Sequence, residues 1–199
     1  EAVRQFVFLY PDYIIVYDRV GSSDPSYRKE WLLHTQNEPS VKKNVAVADS
    51  RDGRLFCQTL LPKDAQVSLV GGPGKEFLVG DINYAFDDNY ILKSQKEFDA
   101  GKRGPYWGEW RLEVKPSHEG ADTRFLNVLT AASTERRKPV KATYVSDDES
   151  DGVTMKIDGK KITFWFNRTG DIGGEVEYGG TVRPLTDSVQ KQSGFNLNF

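Results

Sequence analysis

The sequence predicts an all-β protein, an antiparallel β-sandwich with little helix. Short runs rich in β-branched and aromatic residues recur along the chain, and proline, glycine, serine and aspartate separate them. From Trp107 onward apolar and polar residues alternate with a period of two, as in strands that bury one face. The pair Asp158-Gly159, placed between two such runs, is a strong signal for a tight hairpin. Together these observations favour paired strands packed in layers.

The chain opens with two runs that are apolar on nearly every residue, FVFLY at 6–10 and YIIVYDRV at 13–20. A strand that is apolar on both sides is typical of a sheet covered on both faces. We therefore expect a second layer to pack against this sheet. Trp31, in the next run, is expected in the core.

The middle of the chain predicts one hairpin and one long connection. Residues 41–48 and 54–61 flank 49–53, which indicates a turn with Gly53 at a positive φ angle. Pro62 ends the second strand, and a short strand at 65–70 precedes the loop at 71–74. The segment 76–105 is irregular, with one helical turn expected near 93–100. A connection of this length predicts a boundary between residues 1–104 and 105–199.

The second half shows the clearest alternation. Leu112 and Val114 are expected inward, with Glu109 and Glu113 as exposed strand charges. In the run that follows the Asp158-Gly159 turn, Ile162, Phe164 and Phe166 are expected inward and Trp165 outward. Further short strands follow, the last near 195–199.

Composition excludes several function classes. The net charge of −2 gives no basic field for nucleic acid, and the sequence shows neither a signal peptide nor a membrane span. Cys57 is the only cysteine, which rules out an intrachain disulfide and favours a buried, inert thiol. His34 and His118 lack metal-ligand spacing, and no nucleotide or hydrolase motif occurs. We expect no metal and no cofactor, and a mature or excised piece of a longer protein.

Two tryptophans and one acidic loop are candidate binding elements. An exposed ring at Trp165 suits stacking on the apolar face of a sugar, and Trp107 has the same character. The alternative, that another subdomain or a partner covers these rings, stays open. The acidic loop 147–151 is either a solvated turn or a calcium site, since calcium takes several oxygen ligands from flexible loops.

Five segments together resemble the C-terminal part of the heparinase II/III polysaccharide lyases. They are YPDYIIVYDRV at 10–20, KEWLLH at 29–34, QTLLP at 58–62, WRLEVKP at 110–116 and FLNVL at 125–129. Their order and spacing carry the resemblance, which covers most of residues 6–129. Beyond residue 130 only the strand pattern is similar.

The resemblance implies a periplasmic or secreted bacterial enzyme with a helical toroid, a β-super-sandwich and a C-terminal β region. Such enzymes cleave uronate-containing glycans by β-elimination, in which a base removes the proton beside the carboxyl group. The family's catalytic tyrosine, histidines and zinc ligands match no position here, so we expect no catalytic residue on this chain. Residues 1–104 would then be a super-sandwich-like layer, and 105–199 a smaller C-terminal β domain.

On this interpretation the chain is structural or contacts the glycan. The expected substrate-binding residues are Trp165, Trp107, Arg103, Lys102 and His34. The expected partners are an acidic, glycosaminoglycan-like polysaccharide or the N-terminal domains of the parent chain, with neither nucleic acid nor membrane. His34 has a second interpretation as a hydrogen-bonded structural histidine at a strand end.

Two other functions are open. The chain could be an independent carbohydrate-binding β-sandwich that shares only the fold. It could also be a self-sufficient eliminase that uses His34, Arg103 and tyrosines. Sugar binding that depends on Trp165, or β-elimination by the chain alone, distinguishes the three.

Overall fold

A computed structural model describes residues 1–84 and 108–185. These residues form sixteen strands and no helix, and therefore no helix that could cross a membrane. In chain order the strands are β1 (Ala2–Leu9), β2 (Tyr13–Gly21), β3 (Trp31–Thr35), β4 (Ser40–Lys42), β5 (Val45–Ser50), β6 (Gly53–Leu61), β7 (Gln66–Gly71), β8 (Leu78–Val79), β9 (Ile82–Asn83), β10 (Trp110–Lys115), β11 (Asp122–Ser133), β12 (Lys141–Ser146), β13 (Ser150–Ile157), β14 (Lys160–Asn167), β15 (Gly174–Tyr178) and β16 (Thr181–Leu185).

Three antiparallel sheets make up most of the fold. The central sheet has six strands in the order β1-β2-β11-β6-β5-β4. The small sheet has three, β3-β10-β7, and the C-terminal sheet has five, β12-β13-β14-β15-β16. Strands β8 and β9 form a separate two-stranded hairpin within the segment that the sequence left irregular. The predicted all-β, antiparallel sandwich class is confirmed.

The central sheet is the middle of three layers. One of its faces, with Ile15, Tyr17 and Leu126, packs against Met155, Phe164 and other inward residues of the C-terminal sheet. Its other face, with Cys57 and Phe125, packs against Trp31, Leu112 and Val114 of the small sheet. Burial of apolar side chains on both faces is the main stabilising term for such a layer.

Coverage of both faces is confirmed for β2 and wrong for β1. Ile15, Val16 and Tyr17 of β2 are all buried. Strands β1 and β11 flank β2, the C-terminal sheet covers Ile15 and Tyr17, and Val20 packs against the core of the small sheet. On β1, Phe6 and Phe8 are 61% and 56% exposed. The reason is that β1 is the edge strand, and the small sheet packs against Ala46, Cys57 and Phe125 of β5, β6 and β11 instead.

Strand β6 contains a β-bulge that places two consecutive leucines in the same core. Leu126 of β11 lies opposite Leu61, whereas the next residue, Asn127, lies opposite Thr59. Leu60 is therefore an extra residue, and a bulge of this kind turns the strand locally. As a result Leu60 and Leu61 both enter the core shared with the C-terminal sheet.

The predicted hairpin at Asp158-Gly159 is confirmed. It joins β13 to β14 with φ angles of 48° and 81°, and Ile157 lies opposite Lys160. Positive φ at both central residues defines the type I′ turn that suits the right-handed twist of paired strands.

The hairpin predicted around residues 49–53 is confirmed between β5 and β6, but the prediction that Gly53 has a positive φ angle was wrong. The positive φ, 55°, falls on Arg51 and not on Gly53, because Ser50 pairs with Gly53 and leaves Arg51 at the first central position. In addition, residues 41–48 are not one strand: a turn with Lys43 at φ 56° separates β4 from β5.

The hydrogen-bonded sheets cross the predicted boundary at 104/105. Strand β11 lies between β2 and β6 of the central sheet, and β10 lies between β3 and β7 of the small sheet. Residues on both sides of the boundary therefore share two of the three sheets. The helical turn predicted near 93–100 and the strand predicted near 195–199 lie outside the described residues.

Candidate functional site

The structure places two of the predicted site residues far apart. Trp165 lies on β14, on the outer face of the C-terminal sheet, because Phe164 and Phe166 point into the core. His34 is exposed on β3, on the outer face of the small sheet, next to Arg111. The central sheet lies between these two faces, so Trp165 and His34 do not form one site. Trp107, Lys102 and Arg103 lie outside the described residues.

The tryptophan ring rests on a glycine of the neighbouring strand. Gly152 lies directly opposite Trp165, and a Cβ at Gly152 would come within 2.8 Å of ring atom Cε3. The missing side chain lets the ring cover the Gly152 backbone, a contact known to stabilise glycine within sheets. Trp165 is half-buried as a result, and the remainder of the ring is accessible to solvent. The outward orientation predicted from the sequence is confirmed.

A row of threonines crosses the same face beside the tryptophan. Thr143, Thr154 and Thr163 lie opposite one another on β12, β13 and β14. The hydroxyl oxygens of Thr154 and Thr163 are 3.0 Å apart and form a hydrogen bond. Glu177 of β15 continues the row next to Thr163. Hydroxyl groups that are fixed in this way can both donate and accept hydrogen bonds.

A row of three lysines lies parallel to the threonines. Lys141 pairs with Lys156, and Lys156 pairs with Lys161, so three ammonium groups occupy adjacent strands on one face. All three side chains are exposed, and none lies within 4 Å of a carboxylate in the part of the chain that the structure describes. Like charges directly opposite one another are unfavourable in a sheet. With strands about 4.8 Å apart, the row covers about 10 Å.

We name this surface the lysine–threonine face: Lys141, Lys156, Lys161, Thr143, Thr154, Thr163 and Trp165. The face is open except at Thr163, which is buried beneath its neighbours, and a shallow groove between Lys161 and Tyr178 borders it. Glu175 and Glu177 on β15 give it an acidic margin. Its groups suit binding by stacking, hydrogen bonding and charge. The face carries no histidine or cysteine, and none of its members is a buried acid or base of the kind used in proton transfer.

The small sheet carries a different arrangement, in which Glu113 was wrongly expected to be exposed. Glu113 is buried and pairs with Arg111 at 2.7 Å and Lys115 at 2.8 Å. Burial alone would raise the pKa of this carboxyl group, but the hydrogen bonds from Lys115 and Arg111 outweigh it and hold the pKa below its ordinary value. The alternation correctly placed Glu113 on the outer face, but the neighbouring cations cover it.

Ser117, His118 and Asp64 resemble a hydrolase triad in composition only. The Nδ1 atom of His118 lies 2.7 Å from the Ser117 hydroxyl and 3.1 Å from Asp64, and Ser117 also contacts Asp64 directly. In a working triad the two ring nitrogens serve different partners, one the nucleophile and one the acid. Here one nitrogen serves both, on an exposed loop, so the cluster does not activate the serine.

The acidic residues of the loop at 147–151 have different environments, because Asp147 is exposed and Asp151 is buried. Asp147 accepts hydrogen bonds from the backbone N–H groups of Glu149 and Ser150, as in a capped turn. Asp151 is fully buried between the central and C-terminal sheets, where it accepts hydrogen bonds from Tyr17 and Tyr144. No group of three metal-ligating side chains occurs within residues 1–84 and 108–185.

The sequence analysis did not predict the lysine row, although the Asp158-Gly159 turn is sufficient to predict one of its two lysine pairs. Because the Asp158-Gly159 turn pairs Ile157 with Lys160, it also pairs Lys156 with Lys161. The partner strand of β13 on its other side cannot be read from that turn, so the position of Lys141 needed the structure. Two other predictions are confirmed, since Cys57 and Trp31 are both buried.

The fold and this face define an all-β sandwich with an open, basic, aromatic-containing sheet surface. Comparison with known proteins found no family model that matches the chain and no match among curated proteins.

Proposed function

We propose that this chain is a non-catalytic, glycan-contacting β-sandwich, the C-terminal part of a heparinase II/III-like lyase that acts on uronate-containing polysaccharides. The observation that carries the proposal is the row of three lysines on the same face as Trp165, none of which has a carboxylate within 4 Å among the described residues. The resemblance in the first 130 residues supplies the lyase class, and the lysine–threonine face supplies the contact.

The chemistry of an acidic polysaccharide fits this face. Uronate carboxylates are spaced along the polymer, and a row of lysines offers them several cations without demanding one fixed geometry. The flat apolar side of a sugar ring suits the accessible part of Trp165. The threonine row lies between the ring and the lysines, and its accessible members, the exposed Thr143 and the half-buried Thr154, can meet sugar hydroxyls.

An exposed aromatic row supports the placement within a larger protein. Phe6, Phe8 and Tyr10 alternate along the edge strand and its end, with 61%, 56% and 81% of their surfaces exposed. A flat edge strand with large apolar side chains invites pairing or packing with another polypeptide. In the proposed parent, the preceding domains would cover this row.

The binding part of the proposal is tested with a charge-matched pair of variants. Wild type, the double variant Lys156→Ala/Lys161→Ala and the control Lys42→Ala/Lys75→Ala are compared by affinity electrophoresis in heparan sulfate, hyaluronan, alginate and a neutral glucan. Each double variant removes two exposed positive charges. Two exposed charge contacts of about 0.2–1 kcal/mol each predict a twofold to thirtyfold loss of affinity for acidic glycans in the first variant only. Equal losses in both variants, or no binding to any acidic glycan, contradict the proposal.

The proposal that the chain is not catalytic is tested separately, by an assay for β-elimination. We expect no ultraviolet absorbance from unsaturated uronate when the folded chain is mixed with the same polymers. The formation of such a product would assign an active site to this chain. Binding that Trp165→Ala alone abolishes, to neutral as well as acidic glycans, would favour the independent carbohydrate-binding module over the lyase accessory.

A further inference from the structure

A second candidate site lies away from the lysine–threonine face, in a cleft between two loops. One loop joins β2 to β3, and the other joins β10 to β11. The cleft is lined by Tyr27, Arg28, Lys29, Lys115 and His118, among others. Because these loops belong to the central and small sheets, the cleft is separate from the outer face of the C-terminal sheet.

The feature that sets this cleft apart is a buried ammonium group. Lys29 is only 7% exposed, and its Nζ donates hydrogen bonds to the carbonyl oxygens of Tyr27 at 3.0 Å and Gly120 at 2.6 Å. An ammonium group has three donors, and the third has no acceptor in the described part of the chain. No carboxylate within residues 1–84 and 108–185 lies within 4 Å of Nζ either.

A buried lysine without a direct ion pair is uncommon, because desolvation of the charge has to be compensated. The two carbonyl groups compensate in part, and the carboxylate of Asp24 attracts the ammonium group from a separation of more than 4 Å. An anion in the cleft would supply the missing acceptor and would place a negative charge in direct contact with Nζ. Lys29 therefore points to a ligand.

The surroundings of Lys29 favour a negative charge. Arg28, Lys29 and Lys115 line the cleft, as does the acidic residue Glu119. Lys115 is held by Glu30 at 2.9 Å and by Glu113, and Arg28 contacts the same two carboxylates. These contacts fix the two side chains beside the cleft, whereas Lys29 forms no ion pair within 4 Å among the described residues.

We propose that this cleft binds a small oxyanion, a sulfate or phosphate group, with the Lys29 ammonium group as its buried donor and Arg28 at its rim. A tetrahedral oxyanion offers several acceptors at once, which suits donors that converge from two loops. The group is either a free ion or an ester on a larger molecule. This site does not depend on the proposed glycan contact.

The two histidines make a direct test possible. His118 lines the cleft, whereas His34 lies on the outer face of the small sheet beside Arg111. Sodium phosphate and sodium sulfate are titrated into the full chain at constant ionic strength, with sodium chloride as the balance, while the imidazole signals are followed by NMR. We expect saturable shifts of the His118 signals and none for His34. Shifts that are equal for both histidines, or that chloride produces equally, overturn the proposal.

Two variants locate the ion. Lys29→Met is expected to lower the affinity at least tenfold. Because this change alters a buried residue, Arg28→Gln is the second variant, since the Arg28 side chain is 68% exposed and its replacement should leave the fold intact. We expect a several-fold loss of affinity in Arg28→Gln with an unchanged circular dichroism spectrum. An affinity equal to wild type in this variant contradicts the assignment.

The source of the group is distinguished with esters. Glucose 6-sulfate and glucose 6-phosphate are titrated in parallel with the inorganic ions. Ester binding at least as tight as that of the free ions indicates that the cleft takes a group on a larger molecule. Binding of the free ions alone indicates an ion site.

Discussion

Asp151 shows how one residue can tie two layers together. Its carboxylate, fully buried, accepts hydrogen bonds from Tyr17 at 2.9 Å, Tyr144 at 2.7 Å and Arg168 at 3.1 Å. A further contact at 3.2 Å comes from Arg124 of β11. Burial first, and then the adjacent Asp151, raise the pKa of Tyr17 well above its ordinary value, so the phenol stays protonated and can donate.

Replacement of Asp151 should be strongly destabilising. In Asp151→Asn the charge that balances the arginines is lost, and we expect the free energy of unfolding to fall by about 3–5 kcal/mol, as when one partner of a buried ion pair is removed. Urea unfolding followed by tryptophan fluorescence measures the change. The control is Asp148→Asn on the exposed loop, expected to change stability by less than about 0.5 kcal/mol. Equal effects of the two substitutions would show that the network contributes nothing.

Burial of Cys57 makes the stability of the folded protein depend on pH, and the direction of the change follows from the pKa of its thiol. Burial raises the pKa of its thiol from 9.0 to about 12. The folded protein therefore keeps a proton that the unfolded chain releases, so this contribution to stability is complete below pH 9 and declines as the pH rises towards 12.

We accordingly expect Cys57→Ala to show a shallower loss of stability between pH 9 and 11 than wild type, in urea titrations at each pH. At pH 8 the native thiol should resist a disulfide reagent that labels the unfolded chain at once. Rapid labelling of the native protein would contradict its burial.

At the scale of the element, the β13–β14 hairpin positions the lysine–threonine face. The type I′ turn fixes the register, and the register places Lys156 beside Lys161, Thr154 beside Thr163 and Gly152 beneath Trp165. A shift of one residue would turn every one of these side chains to the other face. The turn therefore has a functional consequence although it contacts no ligand itself.

Gly159→Ala tests the turn. A Cβ at Gly159 meets nothing within 4 Å, so the cost arises from its φ of 81° alone, and we expect a loss of about 1–2 kcal/mol in unfolding free energy. Gly120→Ala is the control, because a Cβ there meets only an ordinary contact at 3.6 Å and its φ is not in the left-handed region. Thermal unfolding compares them, and a stable Gly159→Ala would exclude strain in this turn.

At the scale of the whole molecule, the central sheet couples the two cores. Strand β11 contributes Phe125 to the core with the small sheet and Leu126 to the core with the C-terminal sheet. Loss of either core therefore removes support from the same strand. Cooperative unfolding of the three layers follows from this arrangement.

We expect a single unfolding transition. Leu112→Ala opens a cavity in the core with the small sheet, and Leu126→Ala opens one in the other core; each should cost about 2–5 kcal/mol. Because the layers share β11, either variant should shift the far-ultraviolet circular dichroism and tryptophan fluorescence curves together. Two separate transitions, with only one shifted by each substitution, would instead indicate two independent domains.

The sequence alone determined the features that depend on neighbours along the chain. Alternation gave the all-β class and the inward set Ile162, Phe164 and Phe166, and turn chemistry gave the Asp158-Gly159 hairpin. Side-chain type within a strand-like run gave the burial of Cys57. These signals are local because a strand's two faces and a tight turn each involve only a few consecutive residues.

Only the tertiary structure decided which strands are neighbours, and the candidate sites depend on that choice. Lys141 joins Lys156 through strand pairing, Asp151 is buried by a strand 134 residues away from it in the chain, and Glu113 is covered by cations from β10 and from the loop before β3. The exposure of Phe6 and Phe8 follows from the edge position of β1. Charge rows, buried acids and edges arise from pairing between distant segments, and a pattern of consecutive residues does not encode that pairing.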